Sequence, residues 1–427
     1  RLAHLKRMNR MNSPKFGLLV VGAAVLGWLC AQFLPPMEWL AQLTELLRTA
    51  FFAALKMLIA PLIFFSLISG VMELRNTRSM GRLGAVTLGY YLFTTAIAVT
   101  IGLVVVFFIH PWTAFAPLVE DPGAYASVGA TSPRLINPGD GSLFSLANSL
   151  LQRMLANPFT ALGEMNILGI LVVALLFGTA TALTIQDDSP LPRLISDITQ
   201  GIYRLASWVL TALPLGLFAV TYQLSAQINL DTVAALVQFA GVVLGATMFH
   251  GLIILPLLAW WVSGIQPWRF LQLIIQPLIT ALATSSSAAT LPLSMTTAEE
   301  KLQVQRTRSA FVLPLGATAN MDGTALFEGI AAVFLAYMFG VELGTVGIIA
   351  VFIVAMLSSV GAPGMPSGSM AGMQLVLIAA GIPLEAIGLL LLIERPLDTF
   401  RTAVNVEGDL VGCLVAERFG RSDEATT

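Results

Sequence analysis

A run of charged and polar side chains interrupts an apolar segment near the C-terminus, Leu384 to Val415. At the roughly 100° rotation per residue of an α-helix, six of these side chains fall within an arc of about 100°. They are Glu394, Asp398, Arg401, Thr402, Asn405 and Asp409, with Glu407 on the opposite side. An ionised side chain at bilayer depth costs about 2.5–3.5 kcal/mol on insertion scales. The spacing therefore predicts a membrane helix whose polar face meets protein, water or a bound charged ligand.

A simpler interpretation of the same face is an internal ion pair. Asp398 and Arg401 are three residues apart, so they lie close enough on a helix to pair with each other. That pairing leaves Thr402, Asn405 and Asp409 without a reason to share the face. A binding site explains all five residues.

Composition sets the class of protein. The chain has 427 residues, of which 56% are hydrophobic and only 11% charged. Its mean hydropathy of +0.83 indicates a polytopic membrane protein rather than a soluble domain. The net charge of −2 gives no sign of a nucleic-acid partner. Cys30 and Cys413 both lie in apolar runs, which predicts neither a disulfide framework nor a metal site.

Apolar runs long enough to cross a bilayer recur along the chain. Eight such spans lie at about 16–35, 50–73, 84–109, 166–186, 203–224, 233–263, 309–338 and 384–416. Lys and Arg concentrate before the first span, between the second and third, after the fourth, before the seventh and after the eighth. By the positive-inside rule these ends are cytoplasmic, so both termini are predicted to lie inside. The first span is too long for a signal-peptide core and is predicted to be retained.

Two further apolar stretches, Leu271–Met295 and Ile348–Ala380, do not behave like spans. Each is broken at its centre by small and helix-breaking residues, at Ala283–Pro292 and at Ser358–Met370. Irregular backbone at membrane depth is tolerated only where it is buried in protein or lines a cavity, so each stretch predicts a re-entrant hairpin. The free backbone groups at such tips bind charged ligands. Two kinked full spans are the alternative, and they would disturb the agreement with the flanking arginines.

The seventh span is interrupted over Gly316–Thr324, where Asn, Asp and Gly are poor helix formers. Unwound carbonyls beside Asp322 predict a site for a hard cation such as Na⁺, because hard ions take oxygen ligands. Glu328 follows in an apolar context. It is interpreted either as a proton carrier or as a neutral carboxyl bonded to a nearby hydroxyl.

Four ordered motifs carry a family resemblance. They are SSSAATLP at Ser285–Pro292, NMDGT at Asn320–Thr324, GAPGMPSG at Gly361–Gly368 and DTFRTAVNVEGD at Asp398–Asp409. In order and spacing they resemble the dicarboxylate/amino-acid:cation symporters, the glutamate-transporter homologues. Weaker similarity extends the match over nearly the whole chain.

The resemblance implies an all-α polytopic membrane protein with the glutamate-transporter-like fold, in which inverted repeats form eight transmembrane helices plus two re-entrant helical hairpins. It implies a scaffold of spans 1–2 (1–80) and spans 4–5 (159–228). Span 3 (81–110) and residues 229–420, with span 6, hairpin 1, span 7, hairpin 2 and span 8, would form a moving transport domain. Residues 111–158 would be an external loop. The implied assembly is a homotrimer in membrane lipid, in the inner membrane of a prokaryote.

The resemblance also implies site residues. The substrate-binding set is Ser286, Ser287, Thr324, Gly364, Met365, Gly368, Asp398, Arg401, Thr402 and Asn405. The cation-binding set is Tyr91, Thr94, Thr95, Gly316, Thr318, Asn320, Met321, Asp322, Ser359, Val360, Asn405 and Asp409. An acid at Glu328 is typical of members that carry protons. The sequence departs from the family pattern in the second tip, where Ala362, Pro363, Ser367 and Ser369 replace residues that are usually Thr, Ala or Gly.

These features together predict a symporter that imports glutamate or aspartate with Na⁺, H⁺ or both as coupling ions, by an elevator mechanism and without a cofactor or an enzymatic step. A C4-dicarboxylate or neutral amino-acid symporter is the alternative within the class, and an ion channel is one outside it. A hydrolase using Ser286 or Ser287 would need a positioned base, and His4, His110 and His250 lie far from these serines in sequence.

Overall fold

A computed structural model describes most of the chain. The described residues are 14–35, 37–73, 81–118, 148, 151–152, 154–164, 166–186, 188–224, 230–361 and 369–420. Every regular element within these ranges is a helix. The all-helical prediction is therefore confirmed.

In the first half of the chain, the described residues form seven helices. They are α1 (Pro14–Phe33), α2 (Glu38–Glu73), α3 (Gly81–Phe108), α4 (Pro158–Gly163), α5 (Ile167–Thr184), α6 (Leu191–Thr211) and α7 (Leu213–Leu224), and a 3₁₀ turn, Pro111–Ala114, follows α3. The predicted span 50–73 is the apolar part of the longer α2, whose first turns carry exposed charges such as the Arg48–Glu45 pair at 2.7 Å. The predicted span 203–224 is divided between α6 and α7, because Pro214 in the first turn of α7 has no amide hydrogen to donate.

Ten helices are described between residues 230 and 420. They are α8 (Leu230–Phe249), α9 (Leu255–Ser263), α10 (Pro267–Thr284), α11 (Ser287–Glu300), α12 (Arg306–Ala319), α13 (Asp322–Met338), α14 (Thr345–Gly361), α15 (Ser369–Ala380), α16 (Ile387–Leu391) and α17 (Glu394–Phe419). A π-helical turn, His250–Ile254, joins α8 to α9. Pro256 follows this turn and lacks the N–H that would continue the regular α-helical ladder.

Three helical segments of the described chain are long and apolar enough to cross a membrane: Arg82–Ala114, Leu230–Ser263 and Arg306–Met338. Shorter apolar stretches lie at Gly22–Phe33, Ala60–Ser69, Val172–Thr184 and Thr345–Ser359. The count of eight spans stays a prediction. The predicted span 384–416 is also not continuous, because α16 ends at Leu391 and α17 begins at Glu394.

The helices pack around two long members. Helices α5, α6 and α7 pack on α2, and α1 packs on α7, whereas α3 and α8 to α13 contact α17. The second hairpin bridges these groups, since α14 and α15 pack on each other, on α13 and on α2. Helix α17 is buried along most of its length, including Glu394, Asp398, Arg401, Asn405 and Asp409.

Both predicted hairpins consist of paired helices, with α10 packed on α11 and α14 on α15. The break in the first is narrower than the predicted Ala283–Pro292. Only Ser285, with a φ of 49°, and Ser286 lie outside the helices, because the Ser286 hydroxyl accepts a hydrogen bond from the Ala289 amide (3.2 Å) and starts α11. The tip of the second hairpin, 362–368, lies outside the described residues.

The break in the predicted seventh span is also narrow. Helix α12 continues to Ala319 and α13 begins at Asp322, so only Asn320 and Met321 interrupt the helix. The interruption predicted over Gly316–Thr324 is wrong at both ends. Gly316 belongs to the last turn of α12, where its carbonyl accepts a hydrogen bond from the Asn320 amide at 2.9 Å, and Thr324 belongs to the first turn of α13.

The end of α17 is fastened to two other helices through Arg308, Glu417, Gln305 and Arg418, which we call the C-terminal clasp. Arg308 pairs with the Glu417 carboxylate and donates to its backbone oxygen at 2.8 Å. The Gln305 amide donates to Glu417 Oε2 at 3.0 Å. Arg418 Nη1 donates to the Trp261 and Val262 carbonyls, at 2.8 and 2.6 Å. The clasp therefore holds the ends of α9, α12 and α17 together.

Candidate functional site

Arg401 lies at the centre of the predicted polar face of α17 and is 1% exposed. Its Nη2 donates to Glu394 Oε1 at 2.9 Å and to Asp398 Oδ1 at 3.0 Å, both on the same helix. A third acceptor, Ser369 Oγ at 3.0 Å, comes from α15. The guanidinium carbon is 4.0 Å from the centroid of the Phe327 ring of α13. Three helices therefore fix this cation, and the simple pairing with Asp398 does occur.

The pairing leaves most of the guanidinium unused. Neither Nε nor Nη1 of Arg401 has a hydrogen-bond partner among the described residues, although both atoms are buried. A guanidinium has five N–H donors, and Nε and Nη1 carry three of them. Buried donors without partners cost about 1–3 kcal/mol each, so native structures seldom retain them without a reason. An anionic ligand group would satisfy them.

Asn405 joins α17 to the start of α13. Its Oδ1 accepts a hydrogen bond from the Gly323 amide at 2.8 Å, and its Nδ2 lies 3.1 Å from Met321 Sδ and 3.4 Å from Thr324 Oγ1. Thr402 Oγ1 donates to the Asp398 carbonyl of its own helix at 2.8 Å. The structure thus brings together the predicted substrate residues of α13 and α17.

The hairpin residues of the predicted substrate set are placed less closely. Ser286 and Ser287 are buried at the start of α11, which packs against α17. Gly364, Met365 and Gly368 lie outside the described residues.

Two buried carboxylates form a second polar cluster beside the helix break. Asp322 Oδ1 accepts hydrogen bonds from Thr95 Oγ1 at 2.7 Å and Thr94 Oγ1 at 3.4 Å, both on α3. Asp409 Oδ1 accepts one from Asn320 Nδ2 at 3.0 Å. Asn320 Oδ1 in turn lies 3.4 Å from Thr94 Oγ1. Carboxylate, amide and hydroxyl oxygens converge here, which is the donor set of a hard monovalent or divalent cation.

Glycines allow the close approach of these groups. A Cβ at Gly316 would overlap the Asp409 carboxylate and lie 2.6 Å from the Tyr91 hydroxyl, which donates to the Val312 carbonyl at 2.8 Å. A Cβ at Gly323 would lie 2.7 Å from the Arg401 carbonyl oxygen. Both positions therefore exclude even a methyl side chain, one beside each polar cluster.

Four members of the predicted cation-binding set form a separate group on α12, on the break that follows it and on α14: Thr318, Met321, Ser359 and Val360. Thr318 Oγ1 donates to the Leu315 carbonyl at 3.1 Å and Ser359 Oγ to the Met356 carbonyl at 2.9 Å, each within its own helix. The helices themselves, α12 and α14, are in contact. Val360 is a residue of α14, and Met321 contributes its sulfur to Asn405.

Glu328 of α13 is fully buried between the two arms of the second hairpin. The Ser358 hydroxyl of α14 donates to Glu328 Oε2, and a Cβ on Gly372 of α15 would overlap Oε1. Oε1 has no hydrogen-bond partner within the described chain. The hydroxyl partner that the neutral-carboxyl interpretation of Glu328 requires is therefore present, as Ser358. It does not distinguish a permanently neutral carboxyl from a proton carrier.

Several contacts of the site were missed by the sequence analysis. His250 of the π-turn is 0% exposed, with Nε2 3.3 Å from Asp322 Oδ2. A histidine alone in an apolar span was a usable signal, since it needs a polar partner there. Phe327, Ser358 and Ser369 gave no such signal, because their roles depend on which helices pack together.

Glu407, which the helical spacing places opposite the polar face of α17, is 2% exposed. Its Oε2 would be 3.3 Å from a Cβ on Gly251, in the π-turn, and its Oε1 lacks a hydrogen-bond partner among the residues described.

Comparisons of the sequence with known proteins identify related transporters. The sequence profile of the Sodium:dicarboxylate symporter family matches residues 16–419. The chain is 32% identical to an Excitatory amino acid transporter of Caenorhabditis elegans, over 95% of this chain and 88% of the relative. It is 36% identical to Neutral amino acid transporter B(0) of Bos taurus, over 84% of this chain and 70% of the relative. Excitatory amino acid transporter 1 of Ambystoma tigrinum is 30% identical, over 86% of this chain and 76% of the relative.

Proposed function

Because the chain belongs to the Sodium:dicarboxylate symporter family, we propose that it is a secondary active symporter for acidic amino acids, glutamate or aspartate. The named relatives are amino-acid transporters, which supports this class of substrate. The observation that carries the proposal is Arg401, a buried guanidinium with Nε and Nη1 unpartnered in the described structure. An arginine presents a planar fork that matches a carboxylate, so the distal carboxylate of the substrate binds here.

Asp398 favours an amino acid over a C4-dicarboxylate. Its carboxylate lies beside Arg401 on the same face, at 3.0 Å from Nη2. A second carboxylate facing the substrate attracts an ammonium group and repels a second acid. In this proposal the α-amino group binds at Asp398, and Thr402 and Asn405 hold the α-amino and α-carboxylate groups of the substrate.

A neutral amino acid is the second candidate, since one relative that is 36% identical is named a neutral amino-acid transporter. Arg401 argues against it. A neutral side chain leaves the buried guanidinium donors unpaired, which costs about 1–3 kcal/mol for each unsatisfied group.

Coupling is assigned to the second polar cluster and to Glu328. Asp322 and Asp409, with the oxygens of Thr94, Thr95 and Asn320, supply ligands for Na⁺ as a transported ion. Glu328 binds a transported proton. Both groups adjoin helices that also carry substrate residues, so substrate and ion raise each other's affinity by the same factor through linkage.

The proposed movement is an elevator within a homotrimer of the prokaryotic inner membrane, with both termini cytoplasmic. Support comes from the packing of helices around α2 and around α17 as two groups. In this proposal the α2 group is the scaffold, and the α17 group carries substrate across the bilayer.

Uptake into proteoliposomes tests the proposal. Radiolabelled aspartate, glutamate, alanine and succinate are offered under an imposed Na⁺ gradient, a pH gradient, both or neither. We expect saturable, gradient-driven accumulation of the two acidic amino acids. Preferential accumulation of succinate or alanine would contradict the substrate assignment. Ion currents far above any transporter turnover would instead indicate a channel.

A further inference from the structure

Ser369 is the first residue of α15, the returning arm of the second hairpin, and it touches the selectivity arginine directly. The Ser369 hydroxyl accepts a hydrogen bond from Arg401 Nη2 at 3.0 Å and lies 3.4 Å from Glu394 Oε1, to which it donates. It is 4% exposed. This serine is one of the departures in the second tip that the proposed function does not use.

The geometry of a guanidinium gives this contact a consequence. A carboxylate binds bidentately either across Nη1 and Nη2 or across Nε and Nη2. Nη2 belongs to both forks, and it is the nitrogen that already meets Glu394, Asp398 and Ser369. Its two hydrogens are thus shared among three acceptors. A ligand carboxylate that uses either fork must displace one of them.

Ser369 is the acceptor that gives way most easily. Glu394 and Asp398 are carboxylates on the same helix as Arg401, so the attraction between opposite charges adds to each of their hydrogen bonds with the guanidinium. Ser369 is an uncharged hydroxyl, and it comes from a different element. Its own proton remains satisfied by Glu394 when the bond to Nη2 breaks.

We propose that Ser369 is a specificity-determining residue that competes with the distal carboxylate of the substrate for Arg401 Nη2. A carboxylate replaces the serine with a stronger bond. A neutral side chain cannot do so, and the bond between Ser369 and Arg401 then persists. This inference rests on the proposed function of Arg401 in binding an acidic amino acid.

The proposal also ties ligand identity to the second hairpin. The residue displaced from Arg401 begins the arm that returns from the hairpin tip. With an acidic ligand, α15 is therefore joined to α17 at this point by the Ser369–Glu394 hydrogen bond alone, whereas a neutral ligand leaves both hydrogen bonds of Ser369 in place.

The variant Ser369→Ala removes the competitor. Loss of one net hydrogen bond to Nη2 is expected to strengthen aspartate binding roughly 2- to 10-fold. The affinity of this variant for the free neutral amino acids alanine and serine is expected to equal that of the wild type. Ser369→Thr keeps the hydroxyl and is expected to restore the wild-type ratio of the two affinities.

The measurement is equilibrium binding of radiolabelled aspartate and alanine to the purified full-length protein. Ser294→Ala is the matched control, since Ser294 is also a buried serine, 3% exposed, on the second arm of the first hairpin. A structural defect at Ser369 would weaken both ligands together. The ratio of the two affinities is therefore the decisive number, and an unchanged or reduced preference for aspartate in Ser369→Ala overturns the proposal.

Failure of the proposed function is a different result. If the wild type binds alanine but no acidic amino acid, Arg401 is not a carboxylate site, and both proposals fail. If the wild type prefers aspartate and Ser369→Ala keeps that preference, the function stands and only the competition is refuted.

Discussion

Arg401 combines two properties that seldom occur together in a buried cation. Two carboxylates and a hydroxyl hold Nη2, and an aromatic ring covers the guanidinium face, so its position is fixed. Nε and Nη1, however, are left without partners in the described residues. A fixed group with spare donors is preorganised for binding, because its ordering cost is met during folding.

The first prediction is that Arg401→Cys abolishes uptake of aspartate and glutamate. Losing the bidentate partner of a buried carboxylate costs about 2–5 kcal/mol, or roughly thirty- to several-thousand-fold in affinity. Small neutral amino acids are expected to be accepted instead. Competition uptake in proteoliposomes measures both effects, with Arg269→Cys, at an exposed position of α10, as the control. Aspartate affinity equal to that of the wild type would refute the role of Arg401.

The second prediction concerns Glu328, which is wedged between Ser358 and Gly372 of the second hairpin. Burial away from water disfavours the charged carboxylate, so binding and release of a proton there would accompany movement of the hairpin. Glu328→Gln is expected to keep substrate binding and exchange. Net uptake driven by a pH gradient is expected to disappear or lose its pH dependence.

Uptake and exchange at a series of pH values measure this difference, and the exposed Glu342→Gln is the control. A glutamine variant with the wild-type rate and pH profile would mean that Glu328 is only a permanent hydrogen-bond donor. Coupling would then belong to Na⁺ alone.

At the scale of helices, the sequence was most informative where charge and apolar surroundings conflict. Every polar residue predicted for the inner face of α17 is buried in the protein, because exposure of a charged side chain to lipid is energetically costly. Helix breaks were predicted too wide. Because Ser286 caps α11, only two residues separate α10 from α11. The run of three serines in the sequence does not indicate how short that break is.

The partners of the site residues were less predictable than the residues themselves. His250 meets Asp322, and Ser369 meets Arg401, across 72 and 32 positions of sequence. Such pairs depend on which helices are neighbours and on their rotation. Neither hydrophobic periodicity nor local propensity contains that information.

The third prediction belongs to the helix ends. In the C-terminal clasp, Arg308 and Glu417 are only 10% and 21% exposed at their side chains. Removing one partner takes the ion pair away from the other, partly buried charge, which costs about 1–3 kcal/mol at such a partly exposed site. Arg308→Met and Glu417→Gln are each expected to lower the midpoint of thermal unfolding in detergent.

The double variant is expected to lose less than the sum of the two single losses, because the partners act on one interaction. Arg269→Met, at an exposed arginine, is the control. Strictly additive losses would show that the two residues are not energetically coupled.

At the scale of the whole molecule, coupling means that substrate and ion binding both depend on one conformational equilibrium of the protein. The proposed substrate and ion sites share the short break between α12 and α13, since Met321 contacts Asn405 and Asn320 donates to Asp409. Binding at either site orders the same backbone. Linkage then requires that each ligand change the affinity of the other equally.

The fourth prediction follows from that shared segment. Aspartate titrations at increasing Na⁺ concentrations are expected to shift to lower midpoints in the wild type. Asp322→Asn and Asp409→Asn should reduce this shift first and aspartate affinity second. The exposed Asp231→Asn is the control. Wild-type curves that superimpose at all Na⁺ concentrations would exclude Na⁺ as the coupling ion.

Gly316 and Gly323 make the site a larger target for mutation than its polar residues suggest. Each is pressed against a functional group, Gly316 against Asp409 and Gly323 against the Arg401 backbone, with no room for a methyl. A single nucleotide change converts a glycine codon to one for alanine. Under selection with a toxic acidic amino-acid analogue, resistant alleles should therefore recur at these two codons as well as at those of the charged residues. Their products would keep every side chain that binds substrate or ion and still fail to transport.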